Sequence, residues 1–264
     1  MTSAPVLVKE AAPAPSRIGR FLFECKWIAG AAAAFHLAYE IPALALLMVF
    51  YLYALVRLTE AATSRRAFYS GSTVGMVTFG PQLWFFVNIF HFAAPGLWLL
   101  LSIWPGLFVL VGRSLRRISG IRRWAWMLAL PVLWTGMEYF RSELYYLRFS
   151  WLTPGIAMSG SAGGGSLLVE LIGVYGAGFL LMLVAAWWAC WPWRWAMALT
   201  LLLLLLVLIA ALLPPRVSAK VKARNPAQVV GVQLEGAMPN EVLSALNHAL
   251  AAYPDAPLFV MSEY

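Results

Sequence analysis

Charged residues are scarce in this sequence. Asp, Glu, Lys and Arg make up 11% of its 264 residues, whereas apolar residues make up 62%. Soluble domains carry about 25% charged residues, so the composition excludes an ordinary soluble protein and indicates a membrane protein. The formal net charge of +8 does not indicate nucleic-acid binding, because the basic residues form short clusters between apolar runs and no continuous face.

Cysteine is also scarce. Cys25 and Cys190 are the only two, and both lie in or beside apolar runs. This excludes a disulfide framework and a cysteine-based metal site. His36 and His91 fall near the outer ends of predicted spans, where we expect interfacial positions or hydrogen bonds within the bundle. The sequence therefore predicts neither a metal nor a cofactor.

Long apolar runs predict seven membrane spans. A hydrocarbon core of about 30 Å needs roughly 20 helical residues for each crossing. The run between Arg20 and Arg57 is interrupted by Tyr39, Glu40 and Pro42, so it predicts a hairpin of two short spans. The predicted spans are residues 21–38, 41–56, 70–92, 96–112, 124–140, 171–190 and 196–213. We therefore expect an all-α transmembrane bundle over residues 21–213, preceded by a cytoplasmic tail of residues 1–20.

The distribution of Lys and Arg orients these spans. The N-terminal segment and the loops after the second and fourth spans are basic, whereas the loops after the first and third spans contain no Lys or Arg. The positive-inside rule then places the N-terminus in the cytoplasm and the residues after 213 on the periplasmic side. Basic residues just after the last span oppose this assignment, so six spans with a cytoplasmic tail are the alternative.

The composition changes after Pro215. Residues 228–233 (QVVGVQ) predict a buried strand, residues 241–252 an amphipathic helix, and residues 258–264 (LFVMSEY) a second, parallel strand that carries Glu263 at its carboxyl end. One strand-helix-strand unit has no partner layer that could bury its sheet. Residues 214–264 are therefore expected to be a linker and the start of an incomplete α/β domain.

Three stretches together resemble the apolipoprotein N-acyltransferase family. The first, residues 137–155, matches the family pattern at Glu138, Arg141, Phe149, Trp151 and Gly155. The second, residues 170–189, matches it at Gly173, Tyr175 and Gly176. The third is the tail, which is similar to the opening of a nitrilase-like (carbon-nitrogen hydrolase) domain. Ser150 and Ser262 depart from the pattern, since each stands where the family usually has Pro.

The resemblance implies a multi-pass protein of the bacterial inner membrane with a periplasmic nitrilase-like domain. The implied reaction transfers an acyl chain from a phospholipid, through a Cys thioester, to the N-terminal diacylglyceryl-cysteine of an apolipoprotein. Glu263 would be the catalytic general base, and Glu138, Arg141 and Trp151 are candidate substrate-binding residues. The alternative for Glu138 and Arg141, which lie one helical turn apart, is an ion pair at the membrane edge. No cofactor and no nucleic acid are implied as partners.

The family mechanism also uses a Lys and a Cys, for which the resemblance assigns no residue here. The predicted topology places Cys25 and Cys190 toward the cytoplasmic side, away from Glu263. We therefore expect the chain to be an incomplete acyltransferase that is inactive alone. The alternative is a non-catalytic, truncated paralogue that binds lipid or a partner. A small transporter is disfavoured, because charged residues in the middle of the predicted spans are nearly absent.

Overall fold

The computed structural model describes residues 16–118, 122–160, 164–192, 194, 198, 229–232 and 238–261. The chain divides into two compact units, residues 1–213 and 214–264. Most described residues of the first unit are helical. The predicted helical bundle is confirmed in this coarse sense.

The first two helices form the predicted hairpin. Helix α1 spans Arg17–Glu40, and the Ser16 hydroxyl caps it by accepting a hydrogen bond of 3.0 Å from the Gly19 N–H. The helix ends where Pro42 would remove a helical hydrogen bond. A 3-10 helix, Pro42–Leu47, then leads into helix α2, Met48–Leu58.

The third predicted span is interrupted. Helix α3 spans Ser64–Gln82 and contains Pro81, and turns follow at residues 83–85. The short helix α4, Phe86–Phe90, and a 3-10 turn, His91–Ala93, lead into helix α5, Ala94–Arg116. The prediction of one continuous span over 70–92 was wrong: α3 ends just after Pro81, which lacks the N–H that would continue the helical hydrogen bonds.

Helices α3 and α5 pack closely through small residues. A Cβ atom on Gly75 would lie 2.7 Å from the Ser102 Cα, and one on Gly71 would lie 2.9 Å from the Gly106 Cα. Small residues allow such close backbone approach, which drives helix association in membranes.

The rest of the first unit carries two irregular segments. Helix α6, Arg123–Tyr139, continues into a π-helical turn, Phe140–Leu144. After a loop comes the short helix α7, Pro154–Ser159, and then helix α8, Gly164–Cys190. Gly173 interrupts α8 with φ 73° and ψ 173°. The span predicted to begin at residue 171 is therefore a longer, kinked helix.

Three described helical segments are long and apolar enough to cross a membrane, namely Ile18–Glu40, Phe86–Arg116 and Gly165–Cys190. The apolar segment Pro42–Leu58 is shorter. The seventh predicted span, residues 196–213, lies outside the described residues except for residue 198. The count of seven therefore stays a prediction, as does the orientation of the bundle.

The second unit contains the predicted strand-helix-strand order. Strand β1, Val229–Val232, pairs in parallel with strand β2, Leu258–Met261, and Val229 lies opposite Leu258. Helix α9, Pro239–Ala252, connects them, and the Glu241 carboxylate accepts a hydrogen bond of 2.8 Å from the Met238 N–H. The nitrilase-like assignment of this unit stays a prediction.

Candidate functional site

Glu138 and Arg141 occupy the end of α6 and its π-helical turn. Both side chains are buried, with only 5% and 4% of their surface exposed. In the π turn the Tyr145 N–H donates to the Phe140 carbonyl at 2.7 Å, an i to i+5 bond. Buried charges of opposite sign usually pair directly. Among the described residues, however, these two form no direct ion pair.

Arg141 uses its guanidinium to hold a loop. Its Nη2 donates to the Trp151 carbonyl oxygen at 3.1 Å, and the guanidinium carbon lies 5.8 Å from the centre of the Phe79 ring. The structure thus brings Arg141 and Trp151 together, as the sequence analysis grouped them, but the contact is to the Trp151 backbone and not to its side chain. The Trp151 side chain stays free to face outward, with 51% of its surface exposed.

Glu138 is about as deeply buried as Arg141. Neither carboxylate oxygen has a donor in hydrogen-bonding geometry among the described residues. The Trp134 indole N–H, one turn earlier, faces the carboxylate, and Arg141 interacts with it electrostatically. Gly178 of α8 leaves room for it, since a Cβ atom there would lie 3.0 Å from Glu138 Oε2. Glu138 therefore lies within the bundle, where it cannot reach a ligand outside.

Two tyrosines complete a buried polar cluster, defined as Tyr39, Tyr51, Glu138 and Arg141. Both tyrosines interact electrostatically with Glu138 and Arg141. The Tyr39 hydroxyl donates to the Thr153 carbonyl at 2.7 Å. Sequence reasoning missed both as site residues, and no local signal marks them. They meet residues of α6 only in the folded bundle, where the Tyr51 ring lies 6.3 Å from that of Trp134.

An aromatic patch surrounds the exposed ring of Trp151. Its members are Phe85, Phe86, Phe149 and Trp151. The Trp151 ring centre lies 5.9 Å from that of Phe86, with the planes 17° apart, and 6.0 and 5.7 Å from those of Phe85 and Phe149. An exposed apolar surface beside a membrane bundle suits hydrocarbon chains better than polar ligands.

The second family-like stretch packs against the first. A Cβ atom on Gly155 would overlap the Val174 carbonyl oxygen, so α7 touches the α8 backbone just after the Gly173 kink. The Tyr175 hydroxyl donates to Glu143 Oε1 at 2.6 Å, which ties the kink to the π turn. The motif residues of both stretches therefore share one end of the bundle.

Comparison with known proteins assigns this region. The sequence model of the apolipoprotein N-acyltransferase N-terminal domain matches residues 29–187. The chain belongs to the apolipoprotein N-acyltransferase family. It is 33% identical over 166 residues to the apolipoprotein N-acyltransferase of Nitrosomonas europaea, an alignment that covers 58% of this chain and 31% of that protein. The chain thus spans about a third of the length of this relative.

The family match contains the buried polar cluster and Trp151, whereas Glu263 lies after it. Glu263 also lies outside the described residues, so its role as general base stays a prediction.

His36 Nε2 lies 2.9 Å from the Val77 carbonyl oxygen, and the Gln82 amide lies 3.3 Å from His36 Nδ1, which places this histidine in a network between α1 and α3. Among the described residues, no group of His, Cys, Asp and Glu could hold a metal ion. Both cysteines are free thiols.

Proposed function

We propose that the chain belongs to an enzyme that transfers an acyl chain from a phospholipid to the N-terminal diacylglyceryl-cysteine of an apolipoprotein. The family membership of residues 29–187 carries this proposal. We further propose that the enzyme lies in the bacterial inner membrane, with the N-terminus cytoplasmic and the residues after 213 periplasmic.

The chemistry follows from the family resemblance. Glu263 would take the thiol proton of the catalytic cysteine, and the thiolate would attack the ester carbonyl of the phospholipid. The ester C–O bond breaks, the lysophospholipid oxygen takes a proton, and the acyl chain remains as a thioester. The α-amino group of the apolipoprotein then attacks the thioester, its proton passes through the Glu263 carboxylate to the departing sulfur, and an amide forms as the C–S bond breaks.

In this proposal the aromatic patch and the buried polar cluster bind and position the acyl chain, and they take no part in the bond-making steps. Trp151 and the aromatic patch offer a half-exposed apolar surface against which an acyl chain can lie. Glu138 and Arg141 are almost fully buried, and Arg141 acts as a positioning residue whose Nη2 holds the Trp151 backbone. Of the three candidate substrate-binding residues, we therefore assign direct contact with substrate to Trp151 alone.

The alternative is a lipid-binding protein without chemistry, and the aromatic patch favours it as much as it favours the enzyme. A transfer assay separates the two. The protein encoded by the complete open reading frame is purified in detergent and mixed with a phospholipid that carries a labelled acyl chain. A diacylglyceryl-cysteinyl peptide serves as the acceptor, and mass spectrometry detects the amide product.

We expect labelled amide from the wild-type protein. Glu263→Gln should lower the rate of thioester formation by about 10²- to 10⁴-fold, the usual contribution of a general base. Asp255→Asn is the matched control, because it neutralises an exposed turn carboxylate of the same unit and should leave the rate unchanged. Lipid binding without transfer would support the alternative, and a Glu263→Gln protein with the wild-type rate would exclude Glu263 as the base.

A further inference from the structure

Arginines gather at the other end of α6, away from the buried polar cluster. Arg113, Arg116 and Arg117 lie at the end of α5, and Arg123 begins α6. Two cavities lie between these side chains. One, of about 470 Å³, is lined by Arg116, Arg123, Trp126 and Trp191 among others. The other, of about 360 Å³, is lined by Thr59, Glu60, Arg113, Arg116 and Arg117. Arg116 borders both cavities, and the two together are called the arginine site.

Positive charge is incompletely neutralised in the arginine site. Glu60 is the only carboxylate that lines it among the described residues, and it pairs with both Arg116 at 3.0 Å and Arg57 at 3.2 Å. Arg123 Nη1 donates instead to the Cys190 carbonyl oxygen at 3.1 Å. A carbonyl satisfies a hydrogen bond but leaves the cationic charge in place.

Arg113 adds a buried positive charge. Its side chain is buried, with 3% of its surface exposed, and its two terminal nitrogens donate to the carbonyls of Ala61 and Ala62. Its Nε has no acceptor among the described residues. That nitrogen is enclosed by protein, so Arg113 contributes its positive charge to the site and not a hydrogen bond to a ligand.

Basic residues that only set the orientation of the membrane spans would not need the arrangement found in the arginine site. The positive-inside rule requires basic residues in a loop, but it requires neither cavities between them nor the burial of one arginine. Trp126 forms part of the wall, and the Arg116 guanidinium carbon lies 5.4 Å from its ring centre. Indole rings beside arginines are typical of the membrane interface, where phospholipid headgroups lie.

An apolar stripe on α6 indicates that the anion carries hydrocarbon chains. Trp124, Leu128 and Val132 are spaced four residues apart and so share one face of the helix. They are 53%, 43% and 63% exposed, and the stripe begins one residue after Arg123. We propose that the arginine site binds the headgroup phosphate of an anionic phospholipid, whose acyl chains lie along this stripe.

Native mass spectrometry of the full chain tests the proposal independently of acyl transfer. The chain is equilibrated in detergent with phosphatidylglycerol or with phosphatidylcholine of the same acyl chains, and the bound lipids are counted. Arg116→Gln and Arg123→Gln remove charges of the arginine site. Arg65→Gln is the matched control, because Arg65 is exposed on α3, lines neither cavity and makes the same change in net charge.

We expect the wild type and Arg65→Gln to retain phosphatidylglycerol in preference to phosphatidylcholine. Each arginine-site variant should weaken phosphatidylglycerol binding about fivefold, as expected for one basic residue at an anionic surface. Arg116→Gln also removes the ion pair with Glu60, so Arg123→Gln provides the result if the former protein aggregates. Equal retention of the two lipids by the wild type would overturn the proposal, as would an equal loss in Arg65→Gln.

Inorganic phosphate separates a lipid site from a site for a free anion. We expect phosphate, added at the concentration of the lipid, to leave bound phosphatidylglycerol in place, because phosphate lacks the chains that would lie on Trp124, Leu128 and Val132. Complete displacement of the lipid at that concentration would overturn the lipid assignment.

Discussion

Replacing Gly155 with Ala should destabilise the end of the bundle that carries Trp151. The added Cβ atom would overlap the Val174 carbonyl oxygen and would lie 2.8 Å from the carbonyl carbon and 3.0 Å from the Val174 Cγ1. These are mainly backbone atoms of α8, which cannot turn aside as the tip of a flexible side chain can. Either α7 or the segment after the Gly173 kink must therefore move.

The size of the effect follows from comparable overpacking in protein cores. Such substitutions cost about 1–3 kcal/mol, and rigid neighbours place Gly155→Ala at the upper end of that range. For a domain of this size, each kcal/mol lowers the midpoint of thermal unfolding by about 2–4 °C. We therefore expect Gly155→Ala to lower the midpoint by about 6–12 °C.

Tryptophan fluorescence during heating of the detergent-solubilised protein measures this midpoint. Gly136→Ala is the matched control, because a Cβ atom at Gly136 in α6 would meet no atom within 4 Å. Alanine is the better helix former by about 1 kcal/mol, so the control should be unchanged or slightly more stable. If Gly155→Ala unfolds at or above the midpoint of Gly136→Ala, the close contact between α7 and α8 is refuted.

Two further substitutions test the polar contacts of the same end. Arg141→Gln removes the donor to the Trp151 carbonyl and leaves Glu138 without its counter-charge, so thermal unfolding should show a loss of about 3 kcal/mol. The double variant with Glu138→Gln should recover part of that loss, and no recovery would argue against their coupling. Tyr175→Phe removes the hydrogen bond to Glu143, and its midpoint should fall by an amount equivalent to about 1 kcal/mol. An unchanged midpoint would argue against a stabilising role for this bond.

The buried polar cluster and the aromatic patch have different roles at this end of the bundle. The cluster holds the loop from within, through Arg141 on the Trp151 carbonyl and Tyr39 on the Thr153 carbonyl. The patch presents rings outward. A rigid support of this kind allows an exposed aromatic surface to keep its shape when a flexible hydrocarbon chain lies against it.

The hairpin of α1 and α2 was predictable because the apolar run between Arg20 and Arg57 is too long for one crossing and is interrupted by Tyr39, Glu40 and Pro42. The interruption after Gln82 was missed although Pro81 lies in the last turn of α3, because α5 and α6 continue through Pro105 and Pro131, so a proline alone does not fix where a helix ends. The kink at Gly173 was not predicted either, because it lies inside an apolar run. Apolarity reports the length of a buried run, but it does not report where the backbone departs from a helix inside that run.

The sequence by itself determined that the chain is a helical membrane protein, and its motifs pointed to the family that the comparisons confirm. Hydropathy and local motifs are properties of neighbouring residues, so they can be read along the chain. Only the tertiary structure decided that Arg141 binds the Trp151 backbone instead of pairing with Glu138, and that Tyr39 and Tyr51 join them. It also decided that Arg116 of α5 and Arg123 of α6 border one cavity together. These features depend on contacts between helices distant in sequence, which packing alone brings together.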